Sequence, residues 1–271
     1  MDQDPLDRVI ARHGAPAVIA ALAPLVSEAR ARRIEQVLDA RLARVTVVLE
    51  NLHDPHNGAA CIRSIEALGL AGVHVVEAAE RFSAAKGVTR GCHKWLELER
   101  HADFAAAAAA LRGRGVRLYA AVPDAADDLD SLDVSRPCAL VFGNEHAGLA
   151  ASSIAACDGR VSIRMYGFTE SFNLSVSVAL AVQAVASRRR TAIGALGDLT
   201  PADKLTLRAR WYARDLRGAE HILARALGHD PGPDPAVASE THPGVDSVTQ
   251  SGQDHGISAS ADPGRAPRGD P

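Results

Sequence analysis

Val45-Thr46-Val47-Val48-Leu49-Glu50-Asn51-Leu52-His53-Asp54-Pro55-His56-Asn57-Gly58-Ala59-Ala60-Cys61-Ile62-Arg63 reads as a strand that turns into a helix. The first five residues are β-branched or aliphatic, the composition of a strand covered on both faces. Asp54-Pro55 marks the turn, Asn57 can cap the helix over 58–68, and Gly69 is placed to end it. A strand followed at once by a helix is half of a βαβ unit, whose strands lie parallel.

Outward from this stretch the alternation continues. Strands are predicted over 73–77, near 95–98, and over 116–122, 138–142 and 160–163, with helices over 103–111, 149–156 and 172–190 between and after them. The fold class is therefore α/β, with a mostly parallel sheet covered by helices on both faces. The six-alanine run at 105–110 is a helix former and implies no chemistry. Residues 1–44 read as an N-terminal helical extension. Thr200-Pro201, as N-cap and first helical residue, opens a C-terminal helical extension within 191–227. Between them, 45–190 forms the main domain. Seven Pro and seven Gly among residues 228–271, with no aromatic, describe an acidic tail that is expected to be disordered.

The chain has 271 residues, 47% of them hydrophobic, enough for a substantial core. Its net charge of −3 conceals an asymmetry, because residues 228–271 carry seven acidic and two basic side chains and the remainder is mildly basic. Such a balance announces no nucleic acid by itself; the clustering of the arginines must decide. Cys61, Cys92, Cys138 and Cys157 form no C-x-x-C pair, so reduced thiols and a cytoplasmic setting are expected. The charged start and the short greasy helix at 174–186 argue against secretion and against a membrane span.

Three polar clusters stand where apolar strands run out: Asn57 with Arg63; Gly143-Asn144-Glu145 with Gly148; and Ser171-Phe172-Asn173. Open α/β sheets bind ligands at the carboxyl ends of their strands, so the clusters predict one small-molecule site. Arg63, flanked by Ile62 and Ile65, is expected to be partly buried and to need an anionic partner; a surface arginine is the plain alternative. Likewise Glu145 could be a solvated loop acid, and Ser171 and Asn173 simple caps. No G-x-x-x-x-G-K-[ST], G-x-G-x-x-G or G-x-S-x-G occurs in the required context, which removes kinase-like, dehydrogenase and esterase readings. His53, His56, His93 and His146 lack ligand spacing, so no metal is expected.

In order, spacing and content the clusters resemble the three motifs of the SpoU (TrmH) family of RNA 2′-O-ribose methyltransferases, within the SPOUT superfamily. The likeness spans about residues 33–190. Arg33-Ile34-Glu35-Gln36-Val37-Leu38, Glu50-Asn51-Leu52-His53, His56-Asn57 and His93-Lys94-Trp95 are similar to the branch that methylates guanosine 18 of tRNA. Phe172 stands where leucine is usual, Asp54 where lysine is common, and His146 where a basic residue often follows the glutamate.

The resemblance implies a C-terminal trefoil knot whose loops hold S-adenosylmethionine near Ala121, Phe142, Gly143, Ile163, Met165 and Phe172. It implies a homodimer whose active sites draw on both subunits, with Arg63, Asn57, Glu145, Ser171 and Asn173 as the catalytic set. An arginine is effectively always protonated, so Arg63 is read as a clamp on phosphate and ribose, not as a base. Arg30, Arg33, Arg41, Arg44, Arg188 and Arg189 are the expected contacts to tRNA; solvated helix faces are the alternative. Methylation of ribosomal RNA, or a catalytically silent RNA-binding protein, are the rival functions.

Overall fold

The computed structural model describes residues 5–77 and 91–228, and the expected tail lies outside them from residue 229 onward. Six parallel strands stand in the order β3-β2-β1-β5-β4-β6. They are β1 (Val45–Glu50), β2 (Gly72–Val76), β3 (Glu97–His101), β4 (Arg117–Ala121), β5 (Cys138–Phe142) and β6 (Gly159–Val161). Every residue of β1 and of β5 is buried, as expected of the two central strands.

Alternate residues of these strands feed two cores. Val47, Leu49, Val73, Val75, Leu140 and Phe142 pack with Ile62 and Ile65 of α4 (Pro55–Ala67) and with Val178 and Val182 of α7 (Leu174–Ile193). On the opposite face Val48, Val76, Leu118, Ala139 and Val141 meet Phe104, Ala107, Ala108 and Leu111 of α5 (Phe104–Gly113). Each fully covered isoleucine or leucine contributes roughly 1.5–3 kcal/mol. The alanine run thus has a packing role: Ala107 and Ala108 sit flat against the sheet.

Both terminal extensions join in a third core. Helices α1 (Pro5–His13), α2 (Ala15–Leu22) and α3 (Glu28–Asp39) share buried Leu6, Val18, Leu22, Ile34 and Leu38 with Leu207, Trp211 and Leu223 of α8 (Pro201–Asp215) and α9 (Ala219–Leu227). Helix α8 starts at the expected Thr200-Pro201, with a full capping box between Thr200 and Asp203.

Local boundaries shift for identifiable reasons. Helix α4 begins at Pro55, because Asp54 and not Asn57 is its cap: the Asp54 Oδ1 accepts from the His56 amide at 2.8 Å. Strand β3 lies two residues beyond its expected start, since Cys92–Trp95 forms a short 3-10 turn instead. Helix α7 runs past the arginines to Ile193 and ends at Gly194 in the left-handed region.

Those arginines correct part of the expected RNA surface. Arg41 is fully buried, donating to the Glu66 and Leu70 carbonyls at 2.9 and 2.8 Å and to the Glu66 carboxylate at 2.6 Å, and its guanidinium lies over the Trp211 ring. Its burial pulls the guanidinium below its usual pKa, and the Glu66 charge opposes that. Arg189 is also buried, bound to Asp198 and to the Val134 and Ser135 carbonyls. Arg188 donates to the Leu129 and Leu132 carbonyls. The sequence could not reveal this, because each partner is far along the chain. Arg33 and Arg44 are exposed, and Arg30 pairs with Asp215 while lying over Trp95.

Candidate functional site

A cavity of about 650 Å³ opens at the carboxyl ends of β4, β5 and β6. Its walls include Ala121 from β4, Phe142 and Gly143 from β5, and Ile163 and Met165 beyond β6, with Phe172 and Leu174 at the start of α7. Asn57, Glu145, Ser171 and Asn173 reach it as well. Residues of all three polar clusters thus meet in one place. Val122, Pro123, Leu149 and Ser177 add lining that no motif marked.

Gly143 sits where the chain folds back on itself. A Cβ there would stand 2.0 Å from the Gly148 carbonyl carbon and 2.2 Å from the Leu149 nitrogen, so only glycine fits. The turn that closes over it is held by Asn144 and Gly148, which exchange backbone hydrogen bonds at 3.2 and 3.1 Å. Asn144 fastens the turn from within, its Oδ1 accepting from the amides of His146 and Ala147 at 2.9 and 2.6 Å.

The turn carries Glu145 inward. Both of its carboxylate oxygens are buried, and among the described residues neither has a hydrogen-bond partner. A buried, unpaired acceptor is costly unless a ligand supplies the donor. The charge is felt across the site: Cys61 on α4 is pushed up to about 12, first by burial and then by Glu145.

Asn173 joins the first cluster to the third. Its Oδ1 accepts from the amide and hydroxyl of Ser175 at 2.8 and 2.7 Å, which caps α7, while its Nδ2 donates to the Asn57 Oδ1 at 3.1 Å. The reading of Asn173 as a cap holds, and the cap is also a bridge from the start of α7 to the first turn of α4, 116 residues away.

Glu50, at the end of β1, supports the site from outside the three clusters. It is buried and accepts from the Ser153 hydroxyl at 2.6 Å, which anchors α6 (Ala151–Ala155) directly behind the Gly143 turn. A buried glutamate at a strand end demands a donor, and that demand was the available signal.

Arg63 departs from expectation. It is exposed, makes no hydrogen bond or ion pair among the described residues, and is not part of the cavity wall. Apolar neighbours in sequence misled because Ile62 and Ile65 point into the core, while Arg63 lies on another face of α4. Beside the cavity mouth an apolar surface is left uncovered: Tyr166 and Phe168 are fully exposed, and Val176 and Leu180 of α7 are each 43% exposed.

Residues 44–183 match the model of the SpoU rRNA Methylase family. A tRNA (guanosine(18)-2′-O)-methyltransferase of Borreliella burgdorferi is 33% identical over 224 residues, 82% of this chain and 97% of that protein. The enzyme of the same name from Thermus thermophilus is 38% identical over 155 residues, 57% of this chain and 80% of its own length. Among solved structures, the A. aeolicus TrmH/SpoU tRNA modifying enzyme superposes with a TM-score of 0.64 at 25% identity, covering 70% of this chain and 98% of that one.

Proposed function

Because the chain belongs to the SpoU rRNA methylase family, we propose that this RNA 2′-O-methyltransferase acts on tRNA, methylating the ribose of guanosine 18 with S-adenosylmethionine as donor. The observation that carries the reading is the convergence of Asn57, Glu145 and Asn173 on one cavity at the strand ends. The names of the two relatives support the tRNA substrate.

The cavity suits the donor on its own chemistry. Its volume falls among those of small-molecule sites, about 300–1,000 Å³, and it offers apolar walls for a base and for the aliphatic carbons of the amino-acid chain. The unpaired Glu145 carboxylate offers an acceptor for donor N–H groups or for positive charge. Phe142, Gly143, Ile163, Met165 and Phe172 would hold the molecule, with Ala121 at the far wall. Bound there, it supplies an electrophilic methyl group on a sulfonium.

The chain's own residues then have to position a ribose hydroxyl and manage one proton. The Asn57–Asn173 bridge fixes the starts of α4 and α7 against each other at the cavity. Through its guanidinium fork Arg63 holds a phosphate and stabilises charge developing on the ribose oxygen, while the hydroxyl proton leaves to phosphate or water. Since Arg63 lies outside its own chain's cavity, it serves the site of a second copy. The uncovered Phe168, Val176 and Leu180 give that homodimer an apolar face. A trefoil knot formed by the strand-end loops, and cytoplasmic residence, complete the reading.

Labelled methyl transfer to total tRNA and to ribosomal RNA tests it. Label confined to the guanosine 18 ribose is the expected result; label in ribosomal RNA alone, or in neither, overturns it.

A further inference from the structure

Far from the methyl-transfer cavity, the edge of the sheet gathers another set of ligating groups. His74 stands in the middle of β2, its direct partner on β3 is Glu99, and Val76 pairs with His101. In a parallel ladder, direct partners and residues two apart share a face. That register alone puts two imidazoles and a carboxylate side by side. His74 Nδ1 is 3.0 Å from His101 Nε2 and 3.8 Å from Glu99 Oε2, and one ligand atom from each residue lies within 4.8 Å of the others.

We propose that His74, Glu99 and His101 form a binding site for a divalent transition-metal ion of zinc type. Two ligands about 2.0–2.1 Å from a tetrahedral zinc stand roughly 3.4 Å apart, close to the spacings here. Two imidazoles with one carboxylate is a donor set suited to zinc, and it leaves a fourth position for water. That position has room, because His74 and Glu99 line a separate cavity of about 560 Å³ at the amino ends of the strands.

The surroundings supply orientation. Arg114 grips both Glu99 oxygens, Nη1 donating to Oε1 at 2.6 Å and Nη2 to Oε2 at 2.7 Å. A carboxylate oxygen carries two lone pairs, so Oε2 accepts from Arg114 and still faces the ion. Without metal one imidazole donates to the other; on binding, the donating ring takes the tautomer that carries its proton on the other ring nitrogen, so both facing nitrogens present lone pairs. No linear ligand spacing marks the set, because 25 residues separate His74 from Glu99.

The test uses the full chain, without a histidine tag, stripped by chelator and dialysed. Calorimetric titration with Zn²⁺ is expected to show one equivalent bound, with a rise in Tm, and Co²⁺ is expected to give the visible absorption of a four-coordinate centre. Mg²⁺ should do neither. Glu99→Gln and His101→Ala, each checked for native circular dichroism, are expected to weaken Zn²⁺ by at least about 100-fold, beyond what loss of a supporting partner costs. Failure of the wild-type chain to bind Zn²⁺ saturably would overturn the proposal. So would unchanged Zn²⁺ affinity in either folded variant, which would place the ion at other histidines. Methyl transfer to tRNA is not the readout, so this result stands apart from that of the proposed activity.

Discussion

Gly143→Ala is the sharpest probe of the cavity. The added methyl would lie 2.0, 2.1 and 2.2 Å from three backbone atoms of Gly148 and Leu149. Carbon contacts are comfortable at about 3.5–4.0 Å, so the turn must retreat by roughly 1.5 Å. Backbone cannot rotate away as a flexible side-chain end can, and the retreat pulls on the Asn144–Gly148 pair and carries Glu145 with it. Overpacking of this kind costs about 1–3 kcal/mol. At about 2–4 °C per kcal/mol for a chain of this size, Tm should fall by about 2–12 °C while the protein stays folded. Binding of S-adenosylmethionine should suffer far more, at least about 100-fold or 2.8 kcal/mol, because the displaced atoms are the cavity wall itself. Differential scanning calorimetry and isothermal titration read the two quantities separately. A Gly143→Ala protein that binds the donor within about threefold of wild type would refute the claim that this turn shapes the site.

Other outcomes follow from single contacts. Arg63→Lys keeps the charge but loses the planar fork, and methyl transfer to tRNA is expected to fall at least about tenfold with donor affinity unchanged; full activity would remove the arginine-specific role. Ser153→Ala leaves the buried Glu50 without its 2.6 Å donor and should cost about 1–3 kcal/mol by urea denaturation, with a null result showing that water replaces the hydroxyl. Arg41→Ala strands Glu66 and two carbonyls and should destabilise the chain by about 3–5 kcal/mol, whereas Arg33→Ala should leave Tm intact; filter binding to tRNA should weaken only for Arg33→Ala among the folded proteins. Cys61 ionises in the unfolded chain from about pH 9 but only near 12 when folded, so its contribution to stability is full below pH 9 and is lost as pH rises toward 12. Cys61→Ala should flatten part of that alkaline decline in thermal melts.

What the sequence disclosed was local chemistry. β1 and β5 were legible because five successive residues in each suit a strand covered on both sides, and the start of α8 because its cap and first helical residue, Thr200-Pro201, are adjacent. β3 was less so: Glu97-Leu98-Glu99-Arg100-His101 is an edge strand, too polar to stand out beside Trp95 and Leu96. Among the site residues, Gly143 at the end of β5 and Asn173 at the start of α7 were readable from turn and cap preferences. The destinations of the arginines were not: Arg41 and Arg63 each stand beside an aliphatic residue, yet Arg41 is buried and Arg63 exposed, and Arg189 is buried although it lies between two other arginines. Their fates depend on partners such as Glu66, 25 residues from Arg41, and Asp198, nine residues from Arg189 and beyond the end of α7.

Helix α7 has one end at Asn173 and, at the other, Arg190, which donates to the Ala40 and Leu68 carbonyls where α3 and α4 finish. Twenty residues make a rod of about 30 Å, and a rod pivoting at its far end magnifies small angles. A tilt of about 2° there moves the Asn173 tip by roughly 1 Å, a misplacement that can cost on the order of 100-fold in rate. The junction of the terminal helices is therefore a lever on alignment at the strand ends, and a substitution at Arg190 would register in turnover without touching either reactant.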